Sequence, residues 1–154
     1  MEKNLKYFMC KAEQEVVTVP GLPRFTDNDG NVLDFEIKVL DQAEIDRINE
    51  LYRKHSIATD KKGNPLVANG EVIWKTERAP QKAARHIIVE ALQYPDLHDK
   101  SLMEYYGCAD VTEMPLKVFS KPGEYTAVSR MVMNALGLGT EAATDEETAN
   151  DAKN

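Results

Sequence analysis

The stretch from Tyr94 to Leu138, YPDLHDKSLMEYYGCADVTEMPLKVFSKPGEYTAVSRMVMNALGL, decides the fold. Its stops and starts cut it into three short helices. Asp99 is an N-cap for the first, which carries Leu102, Met103, Tyr105 and Tyr106 and ends at Gly107. Asp110 or Thr112 opens the second, with Met114, Leu116, Val118 and Phe119 apolar. Lys121-Pro122-Gly123-Glu124 starts the third. Proline suits a first turn, where its missing N–H costs nothing, and a glutamate suits the positive helix N-terminus. Tyr125, Val128, Met131, Val132, Ala135 and Leu136 then follow at helical spacing, and Gly137 closes the run.

Working backwards, Thr76 or Ala79 begins a long helix with Pro80 in its first turn. Ala84, Ile87, Ile88, Ala91 and Leu92 line one face, with Lys82, Arg85 and Glu90 on the other, and the helix stops before Pro95. Asp41 caps an earlier helix, with Glu44 in capping-box position and an apolar stripe of Ile45, Ile48, Leu51 and Tyr52. Between these helices, residues 58–74 read as loop, with Val72, Ile73 and Trp74 as a short strand or a packing plug. Ahead of both, residues 33, 35, 37 and 39 are apolar while Asp34, Glu36 and Lys38 alternate with them, the period of a half-buried strand. Asp29-Gly30 supplies the turn that makes it a hairpin. Val16, Val17 and Val19 are extended, and Tyr7-Phe8-Met9 is a short helix or a docking segment. No internal repeat is evident. The expectation is an α+β fold, mostly α. One N-terminal β-hairpin packs on about five helices in a single domain over 1–138, and 139–154 forms a disordered acidic tail.

Composition bounds the function. The 154 residues carry a net charge of −7, which argues against nucleic acid or an anionic membrane surface as partner. Residues 139–154 hold Glu141, Asp145, Glu146, Glu147 and Asp151 against Lys153, so −4 of that charge sits in the last sixteen positions. Such a segment cannot bury enough apolar surface to offset the entropy of ordering it. Cys10 and Cys108 could form one disulfide but read better as free thiols, and no apolar run suits a signal peptide or a membrane span, so a cytosolic protein is expected.

No chemistry stands out. Asp27, Asp29, Gly30 and Glu36 partly match a calcium loop, but Phe25 occupies the first ligand position and a strand follows, so the hairpin turn is the better reading. His55, His86 and His98 with Cys10 and Cys108 are not at zinc-ligand spacing. Ser101, Ser120 and Ser129 lie in no nucleophile elbow, and Ser120 reads as a cap. The expectation is no catalytic residue, no cofactor and no metal. Met131, Val132 and Met133 cannot all face inward on one helix. Tyr105, Tyr106, Tyr125, Met131 and Met133 are therefore the residues expected to form an adaptable protein-binding face.

Two blocks carry a family resemblance. One runs from Arg24-Phe25-Thr26-Asp27 through Gly30-Asn31 and Phe35-Glu36-Ile37 to the helix start at Asp41–Ile48. The other joins Tyr94-Pro95-Asp96-Leu97, Asp99–Leu102, Tyr106-Gly107 and Pro122-Gly123-Glu124-Tyr125. In their order and spacing the chain resembles the XkdN-like tail assembly chaperones of long-tailed phages and defective prophages of Gram-positive bacteria. That resemblance implies a non-enzymatic role. Such a protein binds the long helical tape measure protein, keeps it soluble, helps recruit tail tube subunits and leaves before the tail is complete. It also implies a longer frameshifted product. The alternative is a regulatory adaptor that binds one defined partner through the Met/Tyr face. Oligomeric state is left open by the sequence.

Overall fold

The computed structural model describes residues 3–139. The expected tail therefore lies, apart from Gly139, outside the described residues. The alternation over 33–39 becomes strand β2 (Asp34–Lys38), with Phe35 and Ile37 buried. Its antiparallel partner on one side is β1 (Val16–Pro20), in the register Val16↔Lys38 to Pro20↔Asp34. Gly21 follows directly. A Cβ there would lie 2.2 Å from the Leu33 carbonyl oxygen and 2.9 Å from the Phe35 ring, so only glycine permits this approach.

Helix α1 (Gln42–Leu51) begins where Asp41 accepts a hydrogen bond from the Glu44 amide at 2.8 Å. It buries Ile45 and Ile48, but Leu51, expected on the same stripe, is 58% exposed. Helix α2 (Pro80–Ala91) has Pro80 in its first turn and buries Ala83, Ile87, Ile88, Val89 and Ala91. It is the hub of the molecule, packed against α1, β2 and the later helices. The three-helix stretch follows the expected stops. Asp99 caps α3 (Lys100–Tyr105), and Gly107 turns out of it at φ +60°. Asp110 caps a 3₁₀ turn (Val111–Glu113) that runs into α4 (Met114–Val118). Helix α5 (Pro122–Ala135) buries Val128 and Val132 and ends before Gly137, at φ +73°. The Glu124 carboxylate accepts from the Lys121 amide at 3.4 Å. Lysine has no acceptor to return, so only the glutamate half of a capping box forms.

The expected helical bundle with a single hairpin is not what the chain builds. Of the described residues about 39% are helical and 23% strand, and the strands form several small sheets. Two departures account for this. First, α2 ends at Ala91, and Leu92–Tyr94 forms a short strand on the other side of β2, completing a three-stranded sheet with β2 at its centre. Second, the segment after α1 is a β-arm. Strand β3 (Arg53–Ile57) pairs antiparallel with β6 (Trp74–Arg78), and a small hairpin of β4 (Val67–Ala68) and β5 (Glu71–Val72) sits beyond them. In chain order Leu92–Tyr94 is β7. Of the two helix starts read from the sequence, Ala79 is the N-cap of α2 and Thr76 lies in β6. Of the two readings of Val72, Ile73 and Trp74, strand or plug, the strand is nearer: Val72 closes β5 and Trp74 opens β6. Trp74 is 63% exposed, and Leu66, Val67, Val72 and Ile73 are exposed with it, so they plug nothing. The arm also carries Arg53, Lys54, Lys61, Lys62, Lys75 and Arg78 against Asp60, Glu71 and Glu77. Its net charge is +3, which leaves −10 for the rest of the chain.

The arm also reveals a short repeat that the sequence reading passed over. Thr26-Asp-x-x-Gly-Asn-x-Leu33 recurs as Thr59-Asp-x-x-Gly-Asn-x-Leu66. In both copies the aspartate carboxylate accepts two amides, from Asp29 and Asn31 for Asp27 and from Lys62 and Asn64 for Asp60, at 2.8–3.0 Å. Both glycines sit near φ +85°, and the isolated bridges Thr26↔Val32 and Thr59↔Pro65 close both loops. These amides hold the Asp27 and Asp60 carboxyls below the usual range, led by Asn31 and Asn64 respectively. In the first copy, the loop considered for calcium is thus a closed β-turn with Asp27 occupied by backbone donors.

Candidate functional site: an apolar groove where the two sequence blocks meet

Phe119 is the floor of the site. It is buried at the end of α4, and two phenylalanines from the first block close on it. The Phe25 ring meets it edge-on with centroids 6.0 Å apart, and the Phe35 ring is tilted against it at 5.8 Å. Above this cluster lies a half-open groove of about 210 Å³, lined by Phe25, Leu33, Phe35, Tyr94, Pro95, Leu102, Tyr106, Val118 and Phe119. Every lining residue is apolar or aromatic. Leu102 of α3 and Tyr106, the C-cap of that helix, stand half-exposed on one wall, while β2 and its turn supply the other. The Tyr94–Pro95 peptide at its edge is cis.

One ion pair ties the first block to the start of α5 and the end of α4. The Arg24 guanidinium grips Glu124 with two bonds, Nε to Oε2 at 2.7 Å and an Nη to Oε1 at 2.9 Å, and donates a third to the Val118 carbonyl at 2.8 Å. Its carbon lies 4.4 Å from the Phe25 ring centroid, a cation–π contact. The hydrogen bond from Arg24 holds the Glu124 carboxyl below the usual glutamate range, and Glu124 in turn raises Arg24. Arg24 was quoted above only for the resemblance, and Phe25 for that and against a calcium loop. Their place here follows from contact across one hundred residues of chain, which sequence periodicity does not encode.

The five residues expected to bind a partner are not brought together. Tyr106 lines the groove. Tyr105 packs edge-on against it at 4.9 Å but projects to solvent, 80% exposed. Tyr125, Met131 and Met133 are half-buried against the core on α5, and burial raises the Tyr125 hydroxyl pKa. Of the nine lining residues only Tyr106 was expected in a site. Leu33 and Phe35 were legible as apolar strand positions, Leu102, Val118 and Phe119 as apolar helix positions, and Tyr94-Pro95 as part of the resemblance, but none of them as a groove.

The titratable groups weighed for metal are scattered. His86 sits with Nδ1 2.6 Å from the Tyr52 hydroxyl, and His86 and His98 both approach Glu90, at 3.4 and 3.3 Å. His55 is in the arm, 3.2 Å from the Thr76 hydroxyl. Cys10 and Cys108 are free thiols. Among the described residues no group of three histidine, cysteine, aspartate or glutamate side chains is placed to hold a metal, and no helix is long and apolar enough to cross a membrane.

Comparison with known proteins gives the family of the chain. A model of the phage XkdN-like tail assembly chaperone family matches residues 5–153. The phage-like element PBSX protein XkdN of Bacillus subtilis (strain 168) is 32% identical over 124 residues, covering 79% of this chain and 76% of that protein. An uncharacterized protein of the same organism, YqbN, is 30% identical over 148 residues, 95% of this chain and 92% of its own length. A crystal structure of YqbN superposes with a TM-score of 0.68 at 26% identity, covering 90% of this chain and all of that one. With nearly its whole length matched in sequence and the same fold in a relative, this chain belongs to the XkdN-like family of phage tail assembly chaperones.

Proposed function

We propose that this chain binds the tape measure protein during tail assembly, receiving apolar side chains of its helices in the Phe25–Tyr106 groove. Bound there, the client's apolar stripe is withdrawn from water and from other copies, which keeps a long helical protein soluble until tail tube subunits are recruited around it. The work is done in the host cytoplasm, and the chaperone leaves before the tail is complete. The supporting observation is the groove itself. It is a half-open channel with an entirely apolar and aromatic lining and a rigid ion-paired rim, the form that accepts one face of an amphipathic helix. Tyr105, at the mouth beside Tyr106, extends the contact. Met131 and Met133, half-buried on either flank of Val132 in α5, offer a second, more adaptable contact.

The test is titration calorimetry of the chaperone with helical segments of the tape measure protein. Leu102→Gln places a polar amide in the wall while keeping a good helix former in α3. It is expected to weaken binding about tenfold or more. Equal binding by wild type and Leu102→Gln would remove the groove from the account. Binding of several copies along one client is also expected. A fixed one-to-one complex with a different protein would favour the adaptor reading instead.

A further inference from the structure

We propose that the N-terminal segment, residues 3–11, folds back within its own chain and closes over the Phe25–Tyr106 groove, seating Phe8 there until a client displaces it. Closure presupposes that the groove is where the client binds, and it regulates that site. Leu5–Phe8 forms a 3₁₀ turn that packs on nothing, and Leu5, Tyr7, Phe8 and Met9 are all more than 70% exposed. Large apolar side chains gathered in water mark a contact surface. Among the described residues, the hydrogen bonds of positions 4–10 stay within the segment. Positions 9–15 form neither helix nor strand, so nothing in them holds the turn away from the body.

Reach, size and charge select this occupant. The segment leaves the sheet at Glu15, whose carbonyl accepts the Val39 amide, while the Gln14 side chain donates to the Val39 carbonyl. Phe35 and Leu33 of the groove lie four and six residues from Val39 along extended chain, about 13–20 Å. The seven residues from Glu15 to Phe8 span up to about 23 Å, so the turn reaches the groove without leaving its own chain. An apolar cavity of about 150 Å³ takes one benzene ring. The groove, at about 210 Å³, therefore seats one ring and not two. Phe8 is the most exposed of the four apolar residues and, unlike Tyr7, brings no hydroxyl to desolvate. Lys3, Lys6 and Lys11 make the segment +3, with no acid in it. The charged residues directly beside the lining residues in sequence are Asp34, Glu36 and Asp96 against Lys117, a net of −3 + 1 = −2, with Arg24 already held by Glu124. The acidic segment 140–154 is repelled by that charge, and its only apolar side chains are alanines, too small to fill the groove.

Cys10 is exposed and lies in the segment, so it takes a nitroxide spin label in a full chain carrying Cys108→Ser, where serine can keep the bond to the Asp110 carbonyl. Paramagnetic broadening of backbone amide signals then reads closure with no client present. The label is expected to broaden Leu102 and Tyr106 of its own chain, and Phe8→Ser is expected to remove most of that broadening. A helical tape measure segment should relieve it as well. Calorimetry with that segment should give a Kd about threefold or more lower for a chain beginning at Ala12, because a groove closed part of the time loses apparent affinity in proportion to its open fraction. Every residue of 3–11 is exposed, so circular dichroism should be unchanged by either alteration. Absence of broadening at the groove overturns the proposal, whether or not the client binds. Broadening that arises only between a spin-labelled chain and a second, isotope-labelled chain also overturns it, by placing the segment in another copy. Equal client affinity for the full and shortened chains overturns the competition. If neither chain binds the client while the broadening persists, closure stands and the proposed function fails.

Discussion

Arg24 and Glu124 stand one hundred residues apart, yet they share two short hydrogen bonds at the rim of the groove. Glu124 was legible as a helix-start residue because proline, glycine and glutamate have fixed preferences there. Its second duty was not legible, because nothing near Glu124 in sequence mentions Arg24. The pairing carries a pH signature. The folded value of Glu124 is depressed, with the Arg24 hydrogen bond as first cause. Its contribution to stability is therefore present above the ordinary glutamate value of about 4.3 and is lost as pH falls through the lower folded value. Glu124→Gln is expected to melt below wild type at neutral pH. The gap between the two melting temperatures should close as pH falls below that range. A gap independent of pH would mean that the carboxylate charge plays no part.

Among the elements, the helices were the readable part. Asp41, Asp99 and Asp110 each cap the helix or turn expected of them, since capping is a contact within three residues. The β2 alternation was readable for the same reason, because one face is buried. The strands β3 and β6 were hidden. A strand exposed on both faces has no apolar period, and Arg-Lys-His-Ser-Ile reads as the polar end of the preceding helix. Strand β7 was hidden because three residues after a helix carry no pattern, and only pairing with β2 makes them a strand. The twin Thr-Asp-x-x-Gly-Asn loops show that an identical local turn can serve two settings, one feeding the central strand and one crossing the arm. Gly21 tests the β1–β2 junction. Gly21→Ala drives a methyl into the Leu33 carbonyl, where backbone must move. It should cost about 1–3 kcal/mol, the usual range for overpacking, measured by chemical denaturation. An unchanged midpoint would mean that β1 is not held in this register.

The molecule as a whole joins a buried core around α2 to two surfaces of different character, an apolar groove and a basic arm, on an otherwise acidic chain. The family assignment was legible because the two blocks keep their order and spacing. The groove was not, since it exists only where those blocks meet over Phe119. The central claim is that the groove shields another protein's apolar helices. It is tested most directly by co-expressing the tape measure protein with this chain and measuring the client's soluble fraction. Wild type should raise that fraction well above the level without chaperone, and Leu102→Gln should return it towards that level. A soluble fraction that is the same with wild type, with the variant and with no chaperone at all would contradict the account.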